Sequence, residues 1–134
     1  VRVLKFLPLL LPLVVVPALA AETNPIDTRL QACLASPDGA STMGMVDCLS
    51  AASEAYDKRL NQAYVEALAA LDPASKDKLR TAQRAWLAFR KAEEAVYGGS
   101  WRADRGTIMQ VVLAQAALSA LKERVEELEA YVNQ

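Results

Sequence analysis

Apolar residues return every three or four positions through three long stretches of this chain, and that spacing constrains the fold more than any other feature. Between residues 45 and 71, Met45, Leu49, Ala52, Tyr56, Leu60, Tyr64 with Ala63, Ala67 and Leu71 fall on one face of a 3.6-residue helix. Glu54, Lys58, Arg59, Gln62 and Glu66 take the opposite face. From 73 to about 97, Leu79, Ala82, Trp86, Phe89 and Val96 mark the predicted buried stripe. Ile108, Val111, Val112, Gln115, Leu118, Leu121, Val125, Leu128 and Val132 then keep a heptad-like spacing to the end, with Glu123, Glu126, Glu127 and Glu129 on the solvent side. Strand-like alternation of useful length is missing. The expected fold class is all-α: a small helical bundle with a long antiparallel helix hairpin plus a long C-terminal helix.

The punctuation between these stretches is equally explicit. Asp72-Pro73 ends one helix and starts the next, because Asp72 can cap the new N-terminus and Pro73 has no donor to lose at the first helical position. So short a link folds the two helices back on each other. Gly98-Gly99-Ser100 stops the second of them, and Asp104 or Thr107 is the cap expected for the last. Residues 23–27 are polar, carry Pro25 and read as a tail or linker. Ile26, Leu30 and Leu34 suit a short helix leading to Cys33. Ser36-Pro37-Asp38-Gly39-Ala40-Ser41-Thr42-Met43-Gly44 reads as a loop.

Residues 1–20 have a different character. Arg2 and Lys5 precede an apolar run over residues 7–16, followed by Pro17-Ala18-Leu19-Ala20, the form of a secretory signal peptide cleaved after Ala20. The run is short of the roughly 20 residues that a membrane span needs, and Pro8, Pro12 and Pro17 interrupt it. The expectation is export to the periplasm or the medium, with residues 21–134 forming one domain and no membrane attachment after cleavage.

Composition then excludes most chemistry. Removing Arg2 and Lys5 with the leader takes the 15 lysines and arginines to 13, against 16 carboxylates, for a formal charge of −3. That balance argues against nucleic-acid binding, which needs a basic stripe. There is no histidine, so Ser-His-Asp and Cys-His catalysis and the common zinc sites are excluded. Neighbouring carboxylates such as Glu93-Glu94 point about 100° apart on a helix and are not held together for acid–base work. Gly98-Gly99 lacks the other glycines and the strand of a phosphate loop. We expect no enzyme activity, no metal and no cofactor. In an exported chain the two cysteines, Cys33 and Cys48, are expected to form one disulfide near the start, worth roughly 3 kcal/mol on the chain-entropy model. A redox role would be better supported by a Cys-x-x-Cys pair, which the chain lacks.

The densest motif is Ala82-Gln83-Arg84-Ala85-Trp86-Leu87-Ala88-Phe89-Arg90, preceded by Asp57-Lys58-Arg59-Leu60-Asn61-Gln62-Ala63-Tyr64 on the other arm of the hairpin. Trp86 and Phe89 are expected to anchor the core. Gln83, on the same face, needs a partner such as Asn61, Tyr64 or a backbone carbonyl, and Arg90 and Asp57 are candidates to pair across the hairpin. The favoured reading of Gln83, Arg84, Trp86 and Arg90 is a packed seam; the alternative is a ligand groove lined by Trp and Arg.

These residues resemble the lysozyme inhibitor LprI-like N-terminal domain family, also known as domain of unknown function 1311. The pattern is a cysteine pair near the start, Asp57…Leu60-Asn61…Tyr64, Gln83-Arg84-Ala85-Trp86…Arg90 and the Gly98-Gly99-Ser100 turn, and it spans about residues 33–128. The resemblance implies a helical, exported protein, with lysozyme inhibition as the activity of the member that names the family. It also implies a frequent second cysteine pair, one member where this chain has Glu94 and the other in the last helix, near Ala116.

The functional expectation is an exported, non-enzymatic binding protein that inhibits lysozyme or a related cell-wall lytic enzyme by occluding its cleft. The candidate contact residues are Asp38 and Gly39 in the disulfide-anchored loop, then Trp101 and Arg102 in the turn over residues 98–105. A mildly acidic surface suits approach to a basic lysozyme. The alternative is an envelope structural or assembly module that binds another protein or itself through its helices. A third reading, a small-molecule carrier, would show a pocket beside Trp86.

Overall fold

The computed structural model describes residues 24–133, and the signal-peptide expectation for residues 1–20 lies outside them. Four helices make up the described chain: α1 (Pro25–Ala35), α2 (Thr42–Ala70), α3 (Pro73–Tyr97) and α4 (Ile108–Ala130), with single 3₁₀ turns at Pro37–Ala40 and Ser100–Arg102. No strand occurs among the described residues.

Residues 24–27 are not a tail. Asn24 caps α1 through its Oδ1, which accepts from the Ile26 amide at 3.0 Å, and Pro25 takes the first helical position, where its fixed φ and missing donor fit. The loop after α1 is also tighter than its composition suggests. Ser41 caps α2 by accepting from the Gly44 amide at 3.0 Å, so Thr42, Met43 and Gly44 belong to the helix. Gly44 is there because a Cβ at this position would lie 1.6 Å from the Asp38 carbonyl oxygen. The Asp72-Pro73 boundary is as expected, with Asp72 Oδ1 accepting from the Ala74 and Ser75 amides. Of the two expected caps of α4, Thr107 takes the N-cap position and Asp104 does not, but the capping bond is missing. Thr107 has helical φ and ψ and makes no side-chain cap bond, and its hydroxyl instead accepts from Thr42 at 3.4 Å.

The predicted stripe of α2 is the core. Leu49, Ala52, Tyr56, Leu60, Ala63 and Ala67 are buried against Leu118, Leu121, Val125 and Leu128 of α4. Small residues at 52, 63 and 67 thin the stripe and allow a close, extended packing of the two helices, since interaxial distance follows side-chain size. They run parallel: Thr42 meets Thr107 near their starts, and Arg59 Nε meets Glu129 Oε1 at 2.6 Å near the end of α4. Glu129 is therefore clamped bidentately by Arg59, not simply solvated.

Helix α3 returns antiparallel to both, as Arg90–Asp57 on one side and Gln83–Arg124 on the other show, but it makes no comparably close backbone approach. Its predicted stripe needs correcting. Leu79 is buried, yet Phe89 is 56% and Val96 53% exposed, and Ala82 is exposed too. The inward row is Leu79, Gln83, Trp86, Arg90, Glu93 and Tyr97, a heptad spacing in which polar residues replace apolar ones.

Candidate functional site

Cys33 and Cys48 are bonded, with 5.8 Å between their Cα atoms, and hold α1 on α2. The intervening turn is packed rather than protruding. Gly39 is buried, and a Cβ there would come within 2.6 Å of the Leu34 backbone. Of the two candidates in this turn, Asp38 is exposed and faces solvent, whereas Gly39 serves the close approach to α1.

The hairpin motif divides between packing and surface. Leu60 and Gln83 are buried, Tyr64 and Trp86 are half-buried against the core, and Asn61 and Arg84 are exposed. Asn61 Nδ2 donates to the Asp57 carbonyl on its own helix at 3.0 Å, and Arg84 donates to Thr81 Oγ1 at 3.1 Å. Gln83 bonds none of the partners expected for it: its Oε1 accepts from Arg124 Nε at 2.9 Å. Arg124 is 8% exposed, also donates to Glu127 at 2.7 Å, and keeps a buried Nη2 with no partner. Arg90 lies 5.2 Å from the Trp86 ring centroid and pairs with Asp57 and Glu94, each at 3.5 Å. The exposed Phe89 anchors nothing in the core.

A second polar cluster, absent from the sequence reading, joins three helices. The Tyr56 hydroxyl donates to Asp27 Oδ1 at 2.9 Å and accepts from Asn24 Nδ2 at 2.8 Å, while Lys122 Nζ meets Asp27 Oδ2 at 2.7 Å. Partial burial alone would raise the Asp27 pKa, but the bonds from Lys122 and Tyr56 outweigh it and hold this carboxyl below its usual range. Burial, reinforced by the Asp27 carboxylate, pushes the Tyr56 phenol well above its ordinary value. The clue was available: a tyrosine in the middle of an apolar stripe needs a partner for its hydroxyl.

The turn after α3 fixes Trp101. Its ring is 44% exposed, its Nε1 donates to the Val96 carbonyl at 2.6 Å, and the Arg105 guanidinium lies 5.7 Å from the ring centroid. Arg102 beside it is exposed. Through the Thr42–Thr107 contact this turn sits at the same end of the bundle as the disulfide-anchored turn. Asp38 and, more than 60 positions later in sequence, Trp101 and Arg102 therefore belong to one end of the molecule.

Beside that end, α3 and α4 leave an open cleft of about 360 Å³ beyond Trp86, with Phe89, Glu93, Tyr97, Ala116, Ala120 and Glu123 among its walls. Glu94 and Ala116, where the resemblance places an absent cysteine pair, both line it. Among the described residues no cluster of three Cys, Asp or Glu side chains is placed to hold a metal ion. No helix among them is long and apolar enough to cross a membrane.

A family model described as lysozyme inhibitor LprI matches residues 33–128. No curated protein matches the sequence. Among solved structures, an uncharacterized protein from Burkholderia thailandensis superposes with a TM-score of 0.76 at 26% identity. The match covers 82% of this chain and 54% of that one, so the chain spans about half the length of that protein.

Proposed function

We propose that this chain, which belongs to the lysozyme inhibitor LprI family, blocks the substrate cleft of a lysozyme or a related cell-wall lytic enzyme. The family match over residues 33–128 carries the reading. The inhibitor acts outside the cytoplasm and does no chemistry of its own. Its contact surface is the end of the bundle that carries Asp38, Trp101 and Arg102. Trp101 suits the role of anchor because its indole is already fixed by Val96 and Arg105, which lowers the entropy lost on binding.

The test is to mix the oxidised protein with a basic c-type lysozyme and follow cell-wall lysis at low and moderate salt. Dose-dependent inhibition with stoichiometric binding is expected, faster to form at low salt. Trp101→Ala is expected to weaken binding by about 2 kcal/mol, the size of an interface hot spot, without changing the melting temperature. Absence of both inhibition and binding at micromolar protein would overturn the proposal. A second reading, an envelope assembly module, draws on Ile108 and Val112, which are 54% and 53% exposed at the start of α4. Concentration-dependent self-association would favour it.

A further inference from the structure

The cleft between α3 and α4 is not what a purely structural seam would leave. A sealed helix pair places large apolar side chains in the facing row. Here the inward row of α3 changes from Leu79 and Trp86 to Arg90, Glu93 and Tyr97, and the opposing α4 wall is the small residues Ala116, Ala117, Ser119 and Ala120. Polar side chains opposite small ones cannot close the gap. What remains is a floor of alanine methyls with Phe89 and Tyr97 beside it, rimmed by carboxylates.

The rim charges are unequal. Arg90 is the cationic side chain on the cleft wall, and it is engaged by Asp57 and Glu94. The neighbouring Lys122 is engaged by Asp27. Glu93 on α3 and Glu123 on α4 have no ion-pair or hydrogen-bond partner among the described residues. An apolar floor flanked by two unmatched carboxylates on opposite walls is complementary to a long cationic side chain, whose methylene stem is apolar and whose head is charged.

We infer that this cleft receives a lysine or arginine side chain, with an apolar neighbour, from the surface of the enzyme the protein inhibits. The inference rests on the inhibitory reading and extends it from the end of the bundle to its side. The stem lies on Ala116 and Ala120, the apolar neighbour meets Phe89 and Tyr97, and the head is held between Glu93 and Glu123.

Two ligands separate this inference from the reading it rests on: a basic c-type lysozyme, and a short leucine–lysine peptide as a probe of the cleft alone. Amide chemical shifts of the isotope-labelled, oxidised protein are followed against each. Shifts are expected at Glu93, Tyr97, Ala116, Ala120 and Glu123. The double variant Glu93→Gln/Glu123→Gln is expected to weaken binding roughly tenfold at low salt, and the gap to the wild type is expected to shrink at high salt, where screening weakens the wild type itself. Ala116→Trp fills the cleft from an exposed helix position and is expected to block it with the thermal melt unchanged. If that variant fails to fold, the glutamine pair still decides the matter. Lysozyme binding that both variants leave unchanged, with no peptide shifts in the cleft, overturns this inference and spares the inhibitory reading. Peptide seated in the cleft without lysozyme binding or inhibition overturns the inhibitory reading and retains a cationic-ligand site. No binding of either ligand overturns both.

Discussion

Helix α4 forms two seams, and they are made differently. Against α2 it presents Leu118, Leu121, Val125 and Leu128, all nearly solvent-free, to a partner stripe thinned by alanines. Against α3 it presents Arg124 to Gln83 and then alanines to Arg90, Glu93 and Tyr97. The first seam excludes water and draws its strength from apolar burial, roughly 25 cal/mol per Å². The second is held at one level by a buried hydrogen bond and opens into a cleft above it. The sealed core and the open surface are thus divided between the two faces of one helix: α2 with α4 is the scaffold, and α3 is the arm that leaves the cleft.

The largest effect that this division predicts is in the scaffold. Leu128→Ala removes a side chain with no exposure and leaves a cavity that the close α2–α4 approach cannot fill. A loss of about 2–5 kcal/mol is expected in chemical denaturation. A loss below that range would mean that the two helices collapse onto the gap, and the seam would not be the rigid one described. Next is the polar lock between α3 and α4. Gln83→Met deprives Arg124 Nε of its acceptor beside an Nη2 that already lacks one. A cost of about 1.5–3 kcal/mol is expected, as for a hydrogen bond to a charged group. Adding Arg124→Met to Gln83→Met is expected to recover part of it, because the uncompensated buried charge goes too. If the double variant is no better than the single, the guanidinium is solvated and the lock is weaker than its geometry.

A smaller effect separates α1 from both seams. Asp27 has a folded pKa below its unfolded value of about 3.9. Its ionised form is therefore favoured by folding, and the stability it contributes is complete above that pH and lost as pH falls through the folded pKa. The side chain is 34% exposed, so the contribution is no more than about 1 kcal/mol. Asp27→Asn is expected to cost that amount at neutral pH and to flatten the stability profile below about pH 4, where the wild type declines. An unchanged slope in the variant would show that other carboxylates govern the acid limb.

Much of the scaffold was legible in the sequence. The α2 stripe, the Asp72-Pro73 boundary and the disulfide each follow from a local rule, and the structure shows all three. The arm was not, because its inward row is chosen by hydrogen bonding rather than hydropathy. Reading for apolar residues selects Phe89 and Val96, one position before Arg90 and Tyr97 in the true heptad. Arg90 turns inward because Trp86 and Asp57 receive it, and Arg124 because Gln83 does. Pairings across 41 or 95 positions, such as Gln83–Arg124 and Asp27–Lys122, leave no periodic trace. Glycine misled in the other direction: Gly44 looked like a loop residue and is helical, placed there by the close passage of Asp38.

The smallest expected effect bears most directly on the comparison. Phe89→Ser would be severe if the arm were a second apolar seam, because truncating a core phenylalanine costs about 3–5 kcal/mol. The ring is 56% exposed, however, and the residues around it are Arg90, Glu93 and alanines that leave space rather than fill it. A change within about 0.5 kcal/mol is expected, typical of surface positions. The check is a denaturant titration of Phe89→Ser beside Leu128→Ala under one set of conditions. Near-silence at residue 89 with a large loss at residue 128 keeps scaffold and arm distinct. A loss of several kcal/mol at both would show that α3 closes onto α4 in solution, and the cleft would then be part of the core.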